Sequence, residues 1–399
     1  MSLSLSSAEK IASYAIRGPE PSPASLAVEH SQAVHRINLI NAWAPAIGPG
    51  TRVLELGCGQ GTCTQALAEA VSSPDHPASS GHITAVDPGA PDYGAPFTLA
   101  QAQSHLSAGP LGPLLTFHRA DPVDFLAANP DAQWDVAVLA HCVWYFRSPD
   151  TLRQTLTALR GRVARVCLAE WALHATEPAA VAHVLAALAR ATFEAHRVDS
   201  TENIQMPASP RAIKDVVGQA GWKVESEGTV VPGAELSDGF WETGTVVDEE
   251  FAEEVEKEVK EERVKAALTS ARDATIAAAD SVGGARKTTQ VQFEMHCPTL
   301  LATFTTLMAT ALGAPATASH ALTARDGPCD ASSETCRPVL QANACFAAFI
   351  RTGTKEQVLQ CVNHQDAALA EEQLCACYGC AETTVQDWAT SNLECAAPA

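Results

Sequence analysis

The sequence predicts an α/β protein built on a doubly wound, mostly parallel sheet of seven strands, followed by a C-terminal helical disulfide-rich module. Three observations carry this reading. Short β-rich runs, each closed by a polar residue, alternate with helical stretches over the first three quarters of the chain. A glycine-rich turn, ELGCGQG from Glu55 to Gly61, stands between the first such run and a helix. Eight of the 13 cysteines crowd into the end of the chain, from Cys329 to Cys395.

The elements follow in order. Residues 1–45 read as helical, with apolar Val34, Ile37 and Ile40 on one side and the pair His30 and His35 nearby. Pro45 and Gly48-Pro49-Gly50 end this stretch and launch the first strand, Arg52-Val53-Leu54, which closes on Glu55. Gly57, Gly59 and Gly61 then fall at alternate positions before a helix over 62–71. Without a Cβ such a turn takes unusual dihedrals and lets a ligand lie against backbone, and the amides of the next helix face that ligand. A second strand over 82–86 ends in Asp87, and a third over 114–118 is followed by Arg119-Ala120-Asp121. A fourth over 134–139 leads into Ala140-His141-Cys142-Val143-Trp144-Tyr145-Phe146, and a fifth over 165–169 ends in Glu170-Trp171. Helices are expected over 178–196 and 211–220, a sixth strand over 223–231, a helical insertion over 248–280, and a delayed last strand over 288–295. Ligands of such sheets bind beyond the carboxyl ends of the strands, where all these polar residues stand.

A dinucleotide site usually reads G-x-G-x-x-G with an acid about 20 residues on. Here the spacing is G-x-G-x-G and an acid, Glu55, sits inside the strand two residues before the first glycine. This pattern resembles motif I of the class I, Rossmann-like, S-adenosylmethionine-dependent methyltransferases, and the resemblance runs from about Ser25 to Met295. It implies that the glycine turn passes under the amino-acid half of S-adenosyl-L-methionine, that Asp87 holds the ribose hydroxyls and that Asp121 faces the adenine amino group. Glu55, Gly57, Cys58, Gly59, Gly61, Asp87, Asp121 and Ala140 are the cofactor-binding candidates, and 141–146 is the substrate-side loop. In similar small-molecule enzymes the N-terminal helices form a lid, which would turn Tyr14, His30 and His35 to the substrate; each also suits a packing helix.

The implied reaction is in-line methyl transfer to a small organic acceptor, with proximity supplying most of the acceleration. His141 is the first candidate for a general base because imidazole titrates near neutrality, with Tyr145 and Glu170 after it. Trp144, Phe146, Trp171 and Trp241 either wall an apolar pocket or fill core. No H-x-H or H-E-x-x-H cluster asks for a metal in this part. Two alternatives stand beside this reading: a nicotinamide-dependent oxidoreductase, against which the glycine spacing argues, and a non-catalytic cofactor-binding protein.

With 399 residues and a net charge of −20, the chain is long enough for a large core and disfavours nucleic-acid partners. Much of the acid lies in a run from Asp248 to Glu262, which reads as a docking face for a basic partner or as a solvated helix with pairs such as Glu253–Lys257 and Glu261–Lys265. Nothing at the N-terminus looks like a signal or transit peptide, and the four cysteines Cys58, Cys63, Cys142 and Cys167 suit a reduced cytoplasmic enzyme without stable membrane insertion.

The end of the chain conflicts with that compartment. Residues 297–320 are uncharged, with a Leu/Thr/Met-rich centre at 300–312 and small residues after it, as in a secretory signal peptide starting at Met295. The pattern suggests two joined reading frames, a methyltransferase with its helical lid over 1–45 and its cofactor-binding domain over 46–295, and a secreted-type module over 326–399, with 296–325 as signal-like segment and linker. A transmembrane helix and a buried helix are the rival readings, though the apolar centre is short for a span. The even cysteine count indicates disulfides; Cys375, Cys377 and Cys380, as C-x-C-x-x-C, also suit zinc.

Overall fold

In the computed structural model the described residues are 2–300, apart from 74–75, 77–78, 198–201 and 203, and beyond them 336, 339, 342, 354–363, 367–377, 385, 388, 389 and 393. The chain divides into two units, Met1–Thr305 and Thr306–Ala399.

In the first unit β1 (Arg52–Leu56), β2 (His82–Asp87), β3 (Leu115–Arg119), β4 (Val136–Ala140), β5 (Arg165–Trp171), β6 (Trp222–Val230) and β7 (Phe293–Leu300) form one sheet in the order β3-β2-β1-β4-β5-β7-β6. The pairs β1/β2, β1/β4, β2/β3 and β4/β5 are parallel, while β7 runs antiparallel to both β5 and β6. All five residues of β4 are buried, as befits a central parallel strand covered on both faces.

Alternation along β1 separates two cores. Val53 packs with Ile37 and Ile40 of α2 (Pro23–Ala42) and Leu67 and Val71 of α3 (Thr62–Val71). Leu54 and Leu56 pack on the other face with Phe125 of α5 (Pro122–Ala128), Leu152 and Leu156 of α6 (Pro149–Ala158) and Val217 of α8 (Pro210–Gln219). The short α1 (Ala8–Ala12) buries Ile11 in the first core, and α4 (Leu99–Ala108) opens on a capping box in which Thr98 and Gln101 bond each other's backbone N–H groups. Trp222 fills the second core, and its indole donates to the Leu156 carbonyl at 2.8 Å.

A third cluster joins α7 (Val181–Glu194), α9 (Asp238–Val247), α10 (Glu249–Glu258) and α11 (Glu262–Ser281) through Phe193, Val246, Phe251, Val255 and Leu268. The insertion is helical, as the sequence indicated, but its charges pair differently. Neither Glu253–Lys257 nor Glu261–Lys265 forms a side-chain pair among the described residues. Partners lie across helices instead: Arg190–Glu254 at 2.8 Å, Arg197–Glu258 at 3.0 Å, Lys265–Glu256 at 2.7 Å and Arg272–Glu249 at 3.1 Å. The apolar seam of Phe193, Val246, Phe251, Val255 and Leu268 packs these helices side by side and brings the partners of the acidic run from neighbouring segments.

The last strand also departs from expectation. It begins at Phe293 rather than 288 and continues to Leu300, because pairing with β5 and β6 holds from Trp171↔Phe293 through Trp222↔Leu300. A boundary at 295 therefore falls inside a strand. His296, the first residue of the signal-like segment, is 2 % exposed within the sheet. The rest of that segment, 301–325, lies outside the described residues.

In the second unit α12 (Lys355–Gln360) and α13 (Ala367–Cys377) contribute to a small core with Val339, Val358, Leu359, Leu374 and Leu393. A disulfide joins Cys336 to Cys377, and Cys361 and Cys375 are also disulfide-bonded. Sulfurs in disulfides are no thiolates, which removes Cys375 and Cys377 from a zinc site. Cys329, Cys345, Cys380 and Cys395 lie outside the described residues. In the first unit Cys58, Cys63, Cys142, Cys167 and Cys297 are free thiols. No helix among the described residues is long and apolar enough to cross a membrane.

Arg190 gathers Glu254, Glu202 at 3.1 Å and Glu194 at 3.8 Å, and the Glu194 side chain is 1 % exposed. Removing one partner of a buried ion cluster strands the other charge. Arg190→Ala is expected to lower unfolding free energy by about 2–4 kcal/mol in chemical denaturation.

Candidate active site

Order in the sheet reverses between β1 and β4, and the crevice beyond their carboxyl ends is the natural ligand position in an open α/β sheet. Three loops meet there.

The first is the glycine turn. Gly57, Gly59 and Gly61 have φ of 72°, 54° and 91°. A Cβ on Gly57 would stand 2.5 Å from the Cys142 Cβ, so the turn passes against the loop after β4 only because that atom is missing. At Gly59 the same test meets nothing within 4 Å: this glycine faces open space. The Gly59 N–H donates to Asp87 Oδ2 at 2.7 Å, and Asp87 Oδ1 accepts from Gly89 N–H at 2.7 Å. Asp87 thus ties the end of β2 to the turn after β1. Gln103 of α4 adds a bond to the Gly59 carbonyl at 2.8 Å, and Gln60 donates to the Phe97 carbonyl at 2.6 Å. Beneath the turn, Glu55 is 2 % exposed and accepts the Thr64 hydroxyl at 2.6 Å. Burial pushes its carboxyl up to about 7, with the Thr64 bond pulling the other way. Cys58 is buried in the turn. Asp121, further along the same edge, is exposed and caps α5 through Oδ1, which accepts from Val123 N–H at 2.8 Å.

The second loop follows β4 after the buried Ala140. His141 has φ of 56°, an uncommon backbone for a non-glycine residue and one found in functional loops. Its Nε2 lies 3.0 Å from His35 Nε2 of α2. Phe293 of β7 stands beneath both rings, with centroids 4.2 Å from His141 and 4.4 Å from His35, and Trp171 closes the group 3.8 Å from Phe293. Burial holds both histidines well below their ordinary range, aided by the positive charge of Arg36, so both are neutral at pH 7 and one donates to the other. His141 nonetheless retains partial solvent exposure, while Tyr145 is 49 % exposed although burial among its neighbours is the main cause raising its phenol.

The third loop follows β5. Glu170 is 3 % exposed, and its Oε2 accepts from the N–H groups of Val143 (2.9 Å) and Trp144 (3.3 Å) while Oε1 accepts from Trp171 N–H (3.0 Å). Burial raises its carboxyl to about 7 despite these bonds. Through these bonds its oxygens brace the loop after β4.

Several sequence candidates thus stand at the carboxyl ends of neighbouring strands: Glu55, the three glycines and Cys58 at β1, Asp87 at β2, Ala140, His141 and Tyr145 at β4, and Glu170 at β5. Tyr14 and His30 do not. Tyr14 turns to Glu69 on α3 at 3.3 Å and His30 is exposed, so His35 alone of the three N-terminal candidates meets the loop after β4. Trp144 is core, 3 % exposed with its indole on the Ala208 carbonyl, and Phe146 packs in the second core. Trp241 is 45 % exposed on α9. Sequence reading missed Gln32, Arg36, Asp238 and Glu242. Gln32 donates to Asp238 Oδ1 at 2.9 Å across 206 residues, and burial raises the Asp238 carboxyl and lifts Glu242 to about 7. The i,i+4 spacing of Asp238 and Glu242 was the available signal.

No family model matches the chain. Two curated proteins of Diaporthe leptostromiformis, methyltransferase phomM and methyltransferase phomM′, are each 33% identical to it over 248 residues, covering 54% of this chain and 64% of theirs. The chain thus spans under two thirds of the length of these relatives. A solved structure, the cyclopropane-fatty-acyl-phospholipid synthase-like protein from Lactobacillus casei ATCC 334, superposes with a TM-score of 0.63 at 28% identity over 74% of this chain and 100% of that one. The mixed sheet with its antiparallel β7 is the Rossmann-like methyltransferase fold.

Glu55 binds a proton more tightly folded than unfolded, so its contribution to stability is fully present below about pH 4.5 and is lost as pH rises through about 7. Glu55→Gln removes that loss. The variant is expected to gain roughly 1–3 kcal/mol on wild type between pH 5 and pH 8, read from denaturation curves at both.

Proposed function

We propose that the chain transfers a methyl group from S-adenosyl-L-methionine to a small organic acceptor by in-line displacement. The observation that carries this is the Asp87–Gly59 bond across the open side of the glycine turn: an acid at the end of β2 and bare backbone at the end of β1 face the same space. Similarity to two proteins named methyltransferases supports the reaction class.

The cofactor, when bound, supplies a sulfonium-activated methyl group. In this reading Asp87, whose two oxygens each hold one backbone N–H, has acceptor capacity left for ribose hydroxyls. Asp121 keeps Oδ2 for the adenine amino group, since its cap uses Oδ1. Cys142 and Gly57 in contact fix the depth of the cradle.

On the acceptor side, His141 is the group able to take a proton. Its low basicity keeps it neutral, and its hydrogen-bonded partner His35 is neutral too, so a proton taken up is shared by the pair. Tyr145 faces the acceptor, and Glu170 is a positioning residue that sets the loop carrying both. We place the enzyme part in the cytoplasm, and the cysteine-rich module in an oxidising compartment if it is a separate product.

Calorimetric titration with S-adenosylmethionine, S-adenosylhomocysteine and NADH tests the reading; binding of NADH alone would overturn it. Asp87→Ala is expected to weaken S-adenosylhomocysteine at least about tenfold, a loss of ~1.4 kcal/mol. Gly59→Ala places a methyl in the open cradle while touching nothing in the protein. It should cost about 1 kcal/mol of stability from the left-handed backbone yet weaken the same ligand tenfold or more.

A further inference from the structure

We propose that Arg36 is the anchor for the α-carboxylate of the cofactor's amino-acid half, a role that rests on the cofactor reading above. Arg36 lies on α2 and is 8 % exposed, and its Nε and Nη1 are sealed from solvent without a hydrogen-bond partner among the described residues. Among the described residues it makes no ion pair. A guanidinium is always charged and offers five donors, so burying one without an acceptor is among the costlier arrangements a fold can hold. A ligand acceptor would complete it.

The surroundings locate that ligand. Gln32, His35 and Arg36 stand at i, i+3 and i+4 and share one face of α2. Gln32 is bonded to Asp238 and His35 to His141, so this face lies over the end of β4. The Arg36 charge is felt by Glu55 and Cys63 beside the glycine turn, and by His141, Glu170 and Asp238 on the other side. The carboxylates around it are engaged: Glu55 by Thr64, Glu170 by three backbone N–H groups, Asp238 by Gln32. None comes within 4.0 Å of the guanidinium.

Sheet order sets the direction of the cofactor. Its nucleoside end is assigned to Asp121 after β3 and Asp87 after β2, and the next strands are β1 and then β4. The far end, which carries the α-carboxylate, therefore arrives between the glycine turn and His141, where Arg36 waits. The planar guanidinium fork matches a carboxylate bidentately.

The test compares S-adenosylhomocysteine with 5′-methylthioadenosine, which has the nucleoside and thioether but lacks the amino-acid half. Both are titrated calorimetrically into the full chain, wild type, Arg36→Met and Arg36→Lys, with thermal unfolding of each ligand-free protein. Wild type is expected to bind both. Arg36→Met should weaken S-adenosylhomocysteine at least 30-fold and 5′-methylthioadenosine less than threefold, at an unchanged or higher melting temperature, because an unpaired buried charge is gone. Arg36→Lys, which keeps the charge without the fork, should lose affinity for S-adenosylhomocysteine selectively but less. If Arg36→Met binds both ligands as wild type does, or loses both equally, the anchor is overturned while the cofactor reading stands. If wild type binds neither ligand, both fail. Should Arg36→Met not fold, the selectivity of Arg36→Lys decides.

Discussion

The backbone at Gly57 runs so close to the loop after β4 that a single methyl group would come within 2.5 Å of Cys142, and much of the crevice follows from that closeness. With the turn pressed against Cys142, the ends of β1 and β4 form one floor. The Gly59 amide is then presented to Asp87, which fixes the spacing between β1 and β2. Gln60 of the turn bonds the Phe97 carbonyl before α4, and Gln103 of α4 bonds the Gly59 carbonyl, so the turn is fastened to that segment by two further hydrogen bonds. Preorganisation of this kind spares a ligand the ordering of its own site.

Charge inside the crevice is arranged with the same economy. The carboxyls of buried Glu55 and Glu170 and of half-buried Glu242 are lifted to about 7, and the two histidines are held neutral. In a region this poorly solvated, the ionised form of any group costs more than it does in water. Arg36 is the exception, since a guanidinium does not give up its proton, and its charge deepens the neutrality of the histidines beside it. Groups titrating near neutrality against a fixed cation are the kind of arrangement that active sites favour over structural ones.

The elements that close the crevice come from far along the chain. β7 enters the sheet between β5 and β6 and delivers Phe293 beneath His35, His141 and Trp171. His183 on α7 receives the Val291 N–H at 3.2 Å and sets the entry of that strand. The helices of the insertion, clamped by Arg190 and Arg197, carry α9 with Asp238 and Glu242. Chain continuity through β7 to Leu300 also means that residues with the composition of a leader are part of the sheet.

What the sequence by itself determined is local. The glycine spacing, the acid inside Arg52–Leu56 and the one at the end of His82–Asp87, and the alternation of short apolar runs with helices depend on dihedral freedom and on period, which neighbours in sequence set. Those signals identified the sheet and located the glycine turn and the loop bearing His141. Boundaries of the last strand, the pairing of the acidic run and the true neighbours of His141 were decided only by the tertiary structure. Gln32 meets Asp238 across 206 residues, and His35 meets His141 across 106. No periodicity encodes such contacts, because they exist only once the packed layers bring distant faces together. Arg36 shows the difference most plainly: in sequence it is one more charge on a helix, and burial without a partner among the described residues is what gives it meaning.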